Sequence, residues 1–160
     1  MRKILFKGKR KNWRELPKEK WWVKGYIIRD DITGQTFIHA YGNSVNESNR
    51  VGEEGCLRFF AYEVDPETLC QYTGVTDKNG NWVWENDIVS NKWCFARGNS
   101  IIKYGEYKDW HMSEEYKCGN LGFFVEAIDK REVMTCRKDM MYFAGNCEVI
   151  GNIFDSPELL

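Results

Sequence analysis

Residues 71–89, which read QYTGVTDKNGNWVWENDIV, contain the turn signals that decide the fold of this chain. Asn79-Gly80 is a strong hairpin signal, because both residue types accept the positive φ that a primed turn requires. Trp82-Val83-Trp84 follows with three residues that favour a pleated sheet. Glu85-Asn86-Asp87 then interrupts the run, and Asn86 can occupy the left-handed region at low cost. The stretch therefore predicts three strands joined by two tight turns.

Short β-type runs alternate with turn residues along the rest of the chain. Strands are predicted at 4–6, 21–29, 36–41, 56–64, 93–96, 100–104, 123–128, 132–136 and 147–154. Two proline-led helical turns are predicted, with Asp65 and Ser156 as N-caps. Polar stretches predict long loops at 42–55 and 106–120. We therefore expect a mainly β fold (β-rich α+β), an antiparallel sheet or barrel with one or two short helical turns.

The length and the cysteine pattern limit the classes of protein to which this chain can belong. A chain of 160 residues can bury a core as one domain, and we expect a single domain, with lobes at 1–70 and 71–160 as a finer division. The six cysteines are widely spread without a C-x-x-C pair, which is typical of reduced, mostly buried thiols in a cytoplasmic protein. The basic start is not followed by a long apolar segment, so we expect neither a signal peptide nor a membrane-spanning helix.

The charge is unevenly distributed. Residues 1–24 hold ten Lys and Arg and two Glu, a net +8, whereas the remainder has a net −9. A basic segment with interleaved tryptophans is one signature of nucleic-acid contact. The candidate contacts for nucleic acid or another ligand are Lys9, Arg10, Lys11, Trp13, Arg14 and Trp21. Two other interpretations stay open: docking of this segment on the acidic remainder, within one chain or between copies, and a solvated hairpin with its aromatics packed inward. The solvated hairpin is favoured, because lysines commonly decorate edge strands.

Catalytic and metal sites are not indicated. His111 lies close to two Glu and a Cys, but the spacing is not diagnostic of a metal site. His39 alternates with aromatic residues, as a half-buried structural histidine does. Neither histidine belongs to a nucleophile motif. The acidic residues near the central turns are better explained by turn capping than by a divalent ion: Asp77, Glu85 and Asp87. No enzyme activity, cofactor or metal is expected.

The central stretch resembles the signature of the YopX family, small proteins found in phages and prophages. Asn86 stands where the family usually has Gly, and Asn is the next-best residue for that geometry. The resemblance extends through further blocks along almost the whole chain: 6–10, 22–26, 64–68, 103–105, 122–126 and 148–160. Ordered blocks are far more specific than one motif.

The resemblance implies a β-rich fold with a small SH3-like barrel in the C-terminal half, and a setting in the cytoplasm of a bacterial host. It implies no defined activity. The leading hypothesis is a non-enzymatic phage or prophage accessory protein that binds a host protein or a small signalling molecule, with a homo-oligomer as one form. The alternative is a nucleic-acid-binding protein that uses the basic, Trp-containing segment. No membrane partner is expected.

Overall fold

The computed structural model describes residues 3–40, 61–91, 98–107, 119–128 and 146–160. The described strands are β1 (Phe6–Lys9), β2 (Trp22–Arg29), β3 (Thr36–Ala40), β4 (Ala61–Glu63), β5 (Cys70–Thr76), β6 (Trp82–Trp84), β7 (Asp87–Asn91), β8 (Gly98–Tyr107), β9 (Asn120–Ala127) and β10 (Cys147–Asn152). Every described strand pair is antiparallel, and the described helical segments are single 3-10 turns. The predicted β-rich fold is confirmed. The chain divides into two units, Met1–Gln71 and Tyr72–Leu160.

In the first unit the strand order is β4-β3-β2-β1-β5. Cross-strand partners share a face, so Gly8 and its partner Val23 lie on the opposite face from Lys9 and its partner Trp22. The Val23 face carries the core of this unit, which also contains Ile38 and Val64. The other face carries the tryptophans and lysines of the candidate site.

Strand β5 crosses the boundary between the units. Cys70 and Gln71 pair with β1, whereas Tyr72 and Thr76 pair with β6. The second unit also contains a four-stranded sheet in the order β10-β7-β8-β9. Its core is formed by Val83, Val89, Ile102, Phe123, Val125 and Cys147. Among the described strands β9 and β10 lie at opposite edges of this sheet without pairing, so the described strands do not close into the small barrel that the resemblance implied.

Residues 71–89 form strand, turn, strand, turn, strand, as predicted. Asn86 has a φ of 64°, and it is the left-handed non-glycine residue of the described chain. The first turn differs from the prediction, because Gly80 has a positive φ (83°) whereas Asn79 does not. Gly80 N–H donates to the carbonyl of Asp77, and Asp77 N–H donates to that of Asn81. The loop is therefore a three-residue turn with one left-handed glycine rather than a primed two-residue turn.

Several strand boundaries in the structure differ from those predicted. Strand β1 begins at Phe6 and runs to Lys9, because β2 pairs with this polar end. Strand β8 runs to Tyr107 and β9 begins at Asn120, so the predicted loop at 106–120 is shortened at both ends; residues 108–118 lie outside the described part. The segments 42–55, 93–96 and 132–136 also lie outside it, as do residues 56–60 of a predicted strand.

Both proline-led turns are present. Asp65 caps the turn Pro66–Thr68 by accepting a hydrogen bond from Glu67 N–H at 3.1 Å. Ser156 precedes the turn Pro157–Leu159 but makes no side-chain capping bond, so this cap prediction is wrong in its detail. The hydrogen bond from Leu159 N–H to the carbonyl of Ser156 closes this turn at 3.1 Å, and Pro157 sets the φ of its first position.

Candidate functional site

The candidate site lies in the first unit, on the segment that connects β1 to β2. Two 3-10 turns, Trp13–Glu15 and Lys18–Lys20, make up half of this segment. Arg10 N–H donates to the carbonyl of Trp21 at 2.8 Å, which closes the segment at its base. Arg10 also forms an isolated β-bridge with Val64, so its backbone is fixed from two sides.

Three tryptophans surround the ammonium group of Lys9, and we call them the indole cluster (Trp13, Trp21 and Trp22). The Lys9 Nζ atom lies 4.1, 4.8 and 5.5 Å from the three ring centroids, respectively. Trp13 and Trp21 meet edge to face at 4.8 Å. Lys9 is only 2% exposed. A desolvated ammonium over aromatic faces gains more than an exposed one, so the cluster stabilises a buried charge.

Further cations lie against the same rings. Arg14 lies 4.4 Å from the centroid of Trp13, and Lys18 lies 6.0 Å from that of Trp21. Trp21 Nε1 donates to the carbonyl of Leu16 at 2.8 Å, which ties this ring to the connecting segment. Trp13 Nε1 is buried and has no hydrogen-bond partner among the residues that the structure describes. The rings therefore pack against their own chain's cations.

The structure brings the six predicted site residues into one region but gives them different surroundings. Lys9 is withdrawn from solvent, whereas Lys11 and Arg14 are exposed. Trp13, Trp21 and Arg10 are half-buried. A phosphate on the surface can reach the exposed cations, but not the ammonium of Lys9.

Arg10 and Lys11 contact Tyr62 and Glu63 of β4. Nothing in the sequence indicated these contacts. The Arg10 guanidinium carbon lies 4.0 Å from the ring centroid of Tyr62. Lys11 Nζ forms an ion pair with Glu63 Oε1, and Gln35 Nε2 donates to the same oxygen at 3.2 Å. The bond from Lys11 lowers the pKa of Glu63 below its usual value, although partial desolvation opposes the shift. Glu63 is therefore ionised at neutral pH.

Two surface grooves meet at this ion pair. The first has a volume of about 530 Å³ and is lined by Arg10, Lys11, Asn12, Glu15, Ala61, Tyr62 and Glu63. The second has a volume of about 440 Å³, and its lining includes Lys11, Glu63, Arg14 and Asp65. These volumes lie within the range of small-molecule sites. In each groove two basic side chains face two acidic ones, so the lining suits a partner that carries both hydrogen-bond acceptors and donors.

Two of the three acidic residues of the central stretch, Asp77 and Asp87, have structural roles. Asp77 is 4% exposed and accepts hydrogen bonds from Asn79 N–H, Asn81 N–H, Asn81 Nδ2 and Val149 N–H. Burial alone would raise the pKa of Asp77, but these bonds, with that from Val149 foremost, lower it below its ordinary value. Asp87 accepts from Trp84 N–H at 2.8 Å. Turn capping is thus observed for both carboxylates.

The described cysteines are buried thiols. Neither Cys70 nor Cys147 forms a disulfide, and both are fully buried; the Cys70 thiol donates to the carbonyl of Thr68 at 3.4 Å. Desolvation raises the pKa of the Cys147 thiol to about 11, and the nearby charge of Asp77 adds to this shift. A thiol with this pKa holds its proton at neutral pH and is a poor nucleophile.

His39 lies on β3 opposite Tyr26 and is partly buried. His111 lies outside the described residues. Within the described ranges, no group of three or more His, Cys, Asp and Glu side chains is placed to hold a metal ion. The described helical segments include none that is long and apolar enough to cross a membrane.

The matching blocks of the sequence and the antiparallel β architecture agree with a known family. The family model for YopX protein matches residues 19–160. The chain belongs to the YopX family. The YopX family is one of uncharacterised proteins, so membership carries no assigned activity. A YopX assignment confirms the resemblance seen in the sequence.

The comparison with solved structures also finds similarity. The chain is similar to the crystal structure of protein EF1440 from Enterococcus faecalis, with 22% sequence identity and a TM-score of 0.46. The similarity covers 100% of this chain and 99% of that chain. No protein with a curated description matches the sequence.

Proposed function

We propose that this protein is a non-enzymatic phage or prophage accessory protein, and that it acts by binding a host protein or a small signalling molecule. The binding surface in this proposal is the pair of grooves that meet at Lys11 and Glu63. A single observation carries it: backbone-anchored basic and acidic side chains line contiguous concave surfaces of ligand size. The phage setting, the cytoplasm of a bacterial host and a homo-oligomeric form are parts of the proposal that rest on the family resemblance.

The mixed charge of the grooves favours recognition over simple electrostatic attraction. Arg10 and Lys11 face Glu15 and Glu63, so the lining is close to neutral. A neutral lining attracts no class of charged molecule at long range, and selectivity then comes from matching individual donors and acceptors. Because Tyr62 and Glu63 project from β4 and a β-bridge to Val64 fixes the backbone of Arg10, the partner meets a largely preformed surface.

Nucleic-acid binding is the second candidate. The observation that favours it is that Lys11, Arg14, Lys18 and Lys20 are all exposed on one short segment. Lys9 does not contribute, because its ammonium is buried in the indole cluster. Phosphate contacts release counterions, so this candidate predicts an affinity that falls steeply with salt. Fluorescence anisotropy with single-stranded and duplex DNA across salt concentrations tests it, and no binding at low salt rejects it.

Affinity capture from an infected host lysate tests the leading candidate. The bait is the full chain, and mass spectrometry identifies co-purifying proteins and small molecules. A double variant, Lys11→Glu with Arg14→Glu, should lose the partner, whereas Arg29→Ala, an exposed arginine at the end of β2, should keep it. If the double variant captures the same partners as the unmodified protein, the grooves are not the binding surface.

A further inference from the structure

Arg10 holds a hydrogen-bond donor that the described part of the fold does not use. Its Nε atom is buried, and no described residue accepts a hydrogen bond from it. The backbone of the same residue is fixed by its bridge to Val64 and its bond to Trp21. A buried N–H group without an acceptor is rare in native proteins, because it loses water without a replacement. The resting position of this side chain is therefore unfavourable for one of its donors.

The guanidinium is held in this position by Tyr62. The distance of 4.0 Å to the ring centroid is that of a cation–π contact. This contact is modest for a half-exposed pair, so a stronger partner for the guanidinium can displace it. Arg10 lines the first groove, so a ligand bound there is close to a guanidinium that leaves the ring.

We propose that Arg10 anchors one oxyanion group of a small-molecule ligand, a carboxylate or a phosphate, by leaving the Tyr62 ring and donating from Nε and a terminal nitrogen. This inference rests on the proposed function and names the ligand class of the same grooves. The planar fork of arginine matches two oxygens of an oxyanion, and such paired bonds are strong and directional.

The acidic residues of the groove limit which charged groups the rest of the ligand can carry. Glu15 and Glu63 line the same surface as Arg10. A ligand with several negative charges would be repelled by these carboxylates. A ligand with one oxyanion beside an amino or hydroxyl group would instead donate to them. The ligand class is therefore a small zwitterion or hydroxy acid rather than a polyanion.

Nuclear magnetic resonance of the arginine Nε–H groups tests the inference, with Arg10→Lys used to assign the signal. The probes are O-phosphoethanolamine and γ-aminobutyrate, which separate a phosphate source from a carboxylate source. Either probe at millimolar concentration should shift the Arg10 signal, whereas ethanolamine and ATP should not. Arg10→Lys, which keeps the charge and loses the fork, should weaken probe binding measured on backbone amides.

A second variant separates recognition from a structural contact. Tyr62→Leu removes the ring that holds the guanidinium back, so it should raise probe affinity roughly two- to fivefold, the factor equivalent to an exposed cation–π contact. An unchanged Arg10 signal with both probes, equal shifts with ethanolamine or ATP, or no affinity gain in Tyr62→Leu overturns the inference. If the Arg10 inference fails but affinity capture of partners still depends on Lys11 and Arg14, the proposed function stands without the role assigned to Arg10.

Discussion

Lys9 shows how one side chain can reverse its predicted role. It was a candidate nucleic-acid contact because it belongs to a basic run, yet it is buried among three indoles. Pairing with Trp22 places it on the face that the connecting segment covers. Trp13 and Trp21 reach it only after that segment folds back, which no local pattern in the sequence indicates.

Replacing Lys9 should therefore destabilise the protein as much as a substitution in the hydrophobic core does. Lys9→Ala removes a buried side chain from between the rings and should lower the free energy of unfolding by about 2–4 kcal/mol. The matched control is Lys24→Ala, an exposed lysine on β2, with an expected change within about 0.5 kcal/mol. Urea denaturation followed by far-UV circular dichroism measures both. Equal effects would contradict the burial of Lys9.

Gly25 is required by close backbone approach. A Cβ atom built on it would lie 1.8 Å from the carbonyl oxygen of His39. Gly25→Ala should therefore force β2 and β3 apart and lower the free energy of unfolding by roughly 3 kcal/mol or more. Gly122→Ala is the matched control, because a Cβ there meets nothing within 4 Å and that variant should not be destabilised. Thermal unfolding of the two variants decides, and equal melting temperatures would contradict this geometry.

Asn86 tests the left-handed turn. Asn86→Val places a β-branched residue at a φ of 64° and should cost about 1–2 kcal/mol of stability. Asn86→Gly should stay within about 0.5 kcal/mol, because relief of the backbone offsets the lost side-chain contacts. Chemical denaturation compares the two variants. A glycine variant as unstable as the valine variant would show that the side chain, not φ, matters here.

The central hairpin is held by one carboxylate that joins two strands distant in sequence. Asp77 accepts from both sides of its own turn and from Val149 on β10. A charged acceptor contributes more per hydrogen bond than a neutral one. Capping of this turn by Asp77 was predicted from the sequence, whereas the type of turn was not. The bond to β10 was not, because it spans 72 residues.

Asp77→Asn should loosen this hairpin and β10 together. The amide cannot serve all four donors, so the free energy of unfolding should fall by about 2–4 kcal/mol. Amide hydrogen exchange should accelerate at Asn79, Asn81 and Val149. Asp31→Asn, an exposed turn residue, is the control and should leave these rates unchanged. Faster exchange at the hairpin alone would contradict the role of Asp77 in holding β10.

Strand identity was more predictable than strand ends. The turn at 30–34 is closed by Asp30, whose carboxylate accepts from Ile32 N–H and Thr33, and the strands on either side of it correspond to the strands predicted at 21–29 and 36–41. The ends of β1 and β8 were wrong, because a strand continues as far as its partner does. Closure of the second sheet was an expectation from fold analogy, and the described strands do not support it.

The two units each carry carboxylates whose pKa values are lowered. In the first unit the pKa values of Asp30 and Glu63 fall below their ordinary values of 3.8 and 4.5, chiefly through hydrogen bonds from Thr33 and Lys11. In the second unit the same holds for Asp77, whose ordinary value is 3.8. A lowered pKa means that the folded state binds fewer protons than the unfolded state in this range.

Acid should therefore destabilise both units. The contribution of these groups is fully present above about pH 5, and it is lost as the pH falls through the folded pKa values. Denaturation midpoints measured from pH 7 down to pH 2.5 should decrease below about pH 4.5. The double variant Glu63→Gln with Asp77→Asn should start lower and show a flatter profile. A stability that rises on acidification would contradict the assigned directions.

The sequence predicted the basic half of the candidate site but not the half that β4 contributes. The six candidate residues lie within a short basic segment, and local composition was enough to single them out. Tyr62 and Glu63 come from β4, 52 residues from their partners, and nothing near them in sequence signals the contact. Pairing of β4 with β3 and the bridge from Arg10 bring them to the grooves. Local sequence patterns do not reveal which distant strands pair, and this pairing completes the site.

The seclusion of Lys9 has a practical value for anyone who wishes to tag the protein. Amine-reactive dyes attach to the solvent-facing lysines of the connecting segment and leave this one nitrogen unmodified. Trp13, Trp21 and Trp22 are three of the seven tryptophans of the chain, so a change in total tryptophan fluorescence after labelling would warn that the packing around Lys9 has been disturbed.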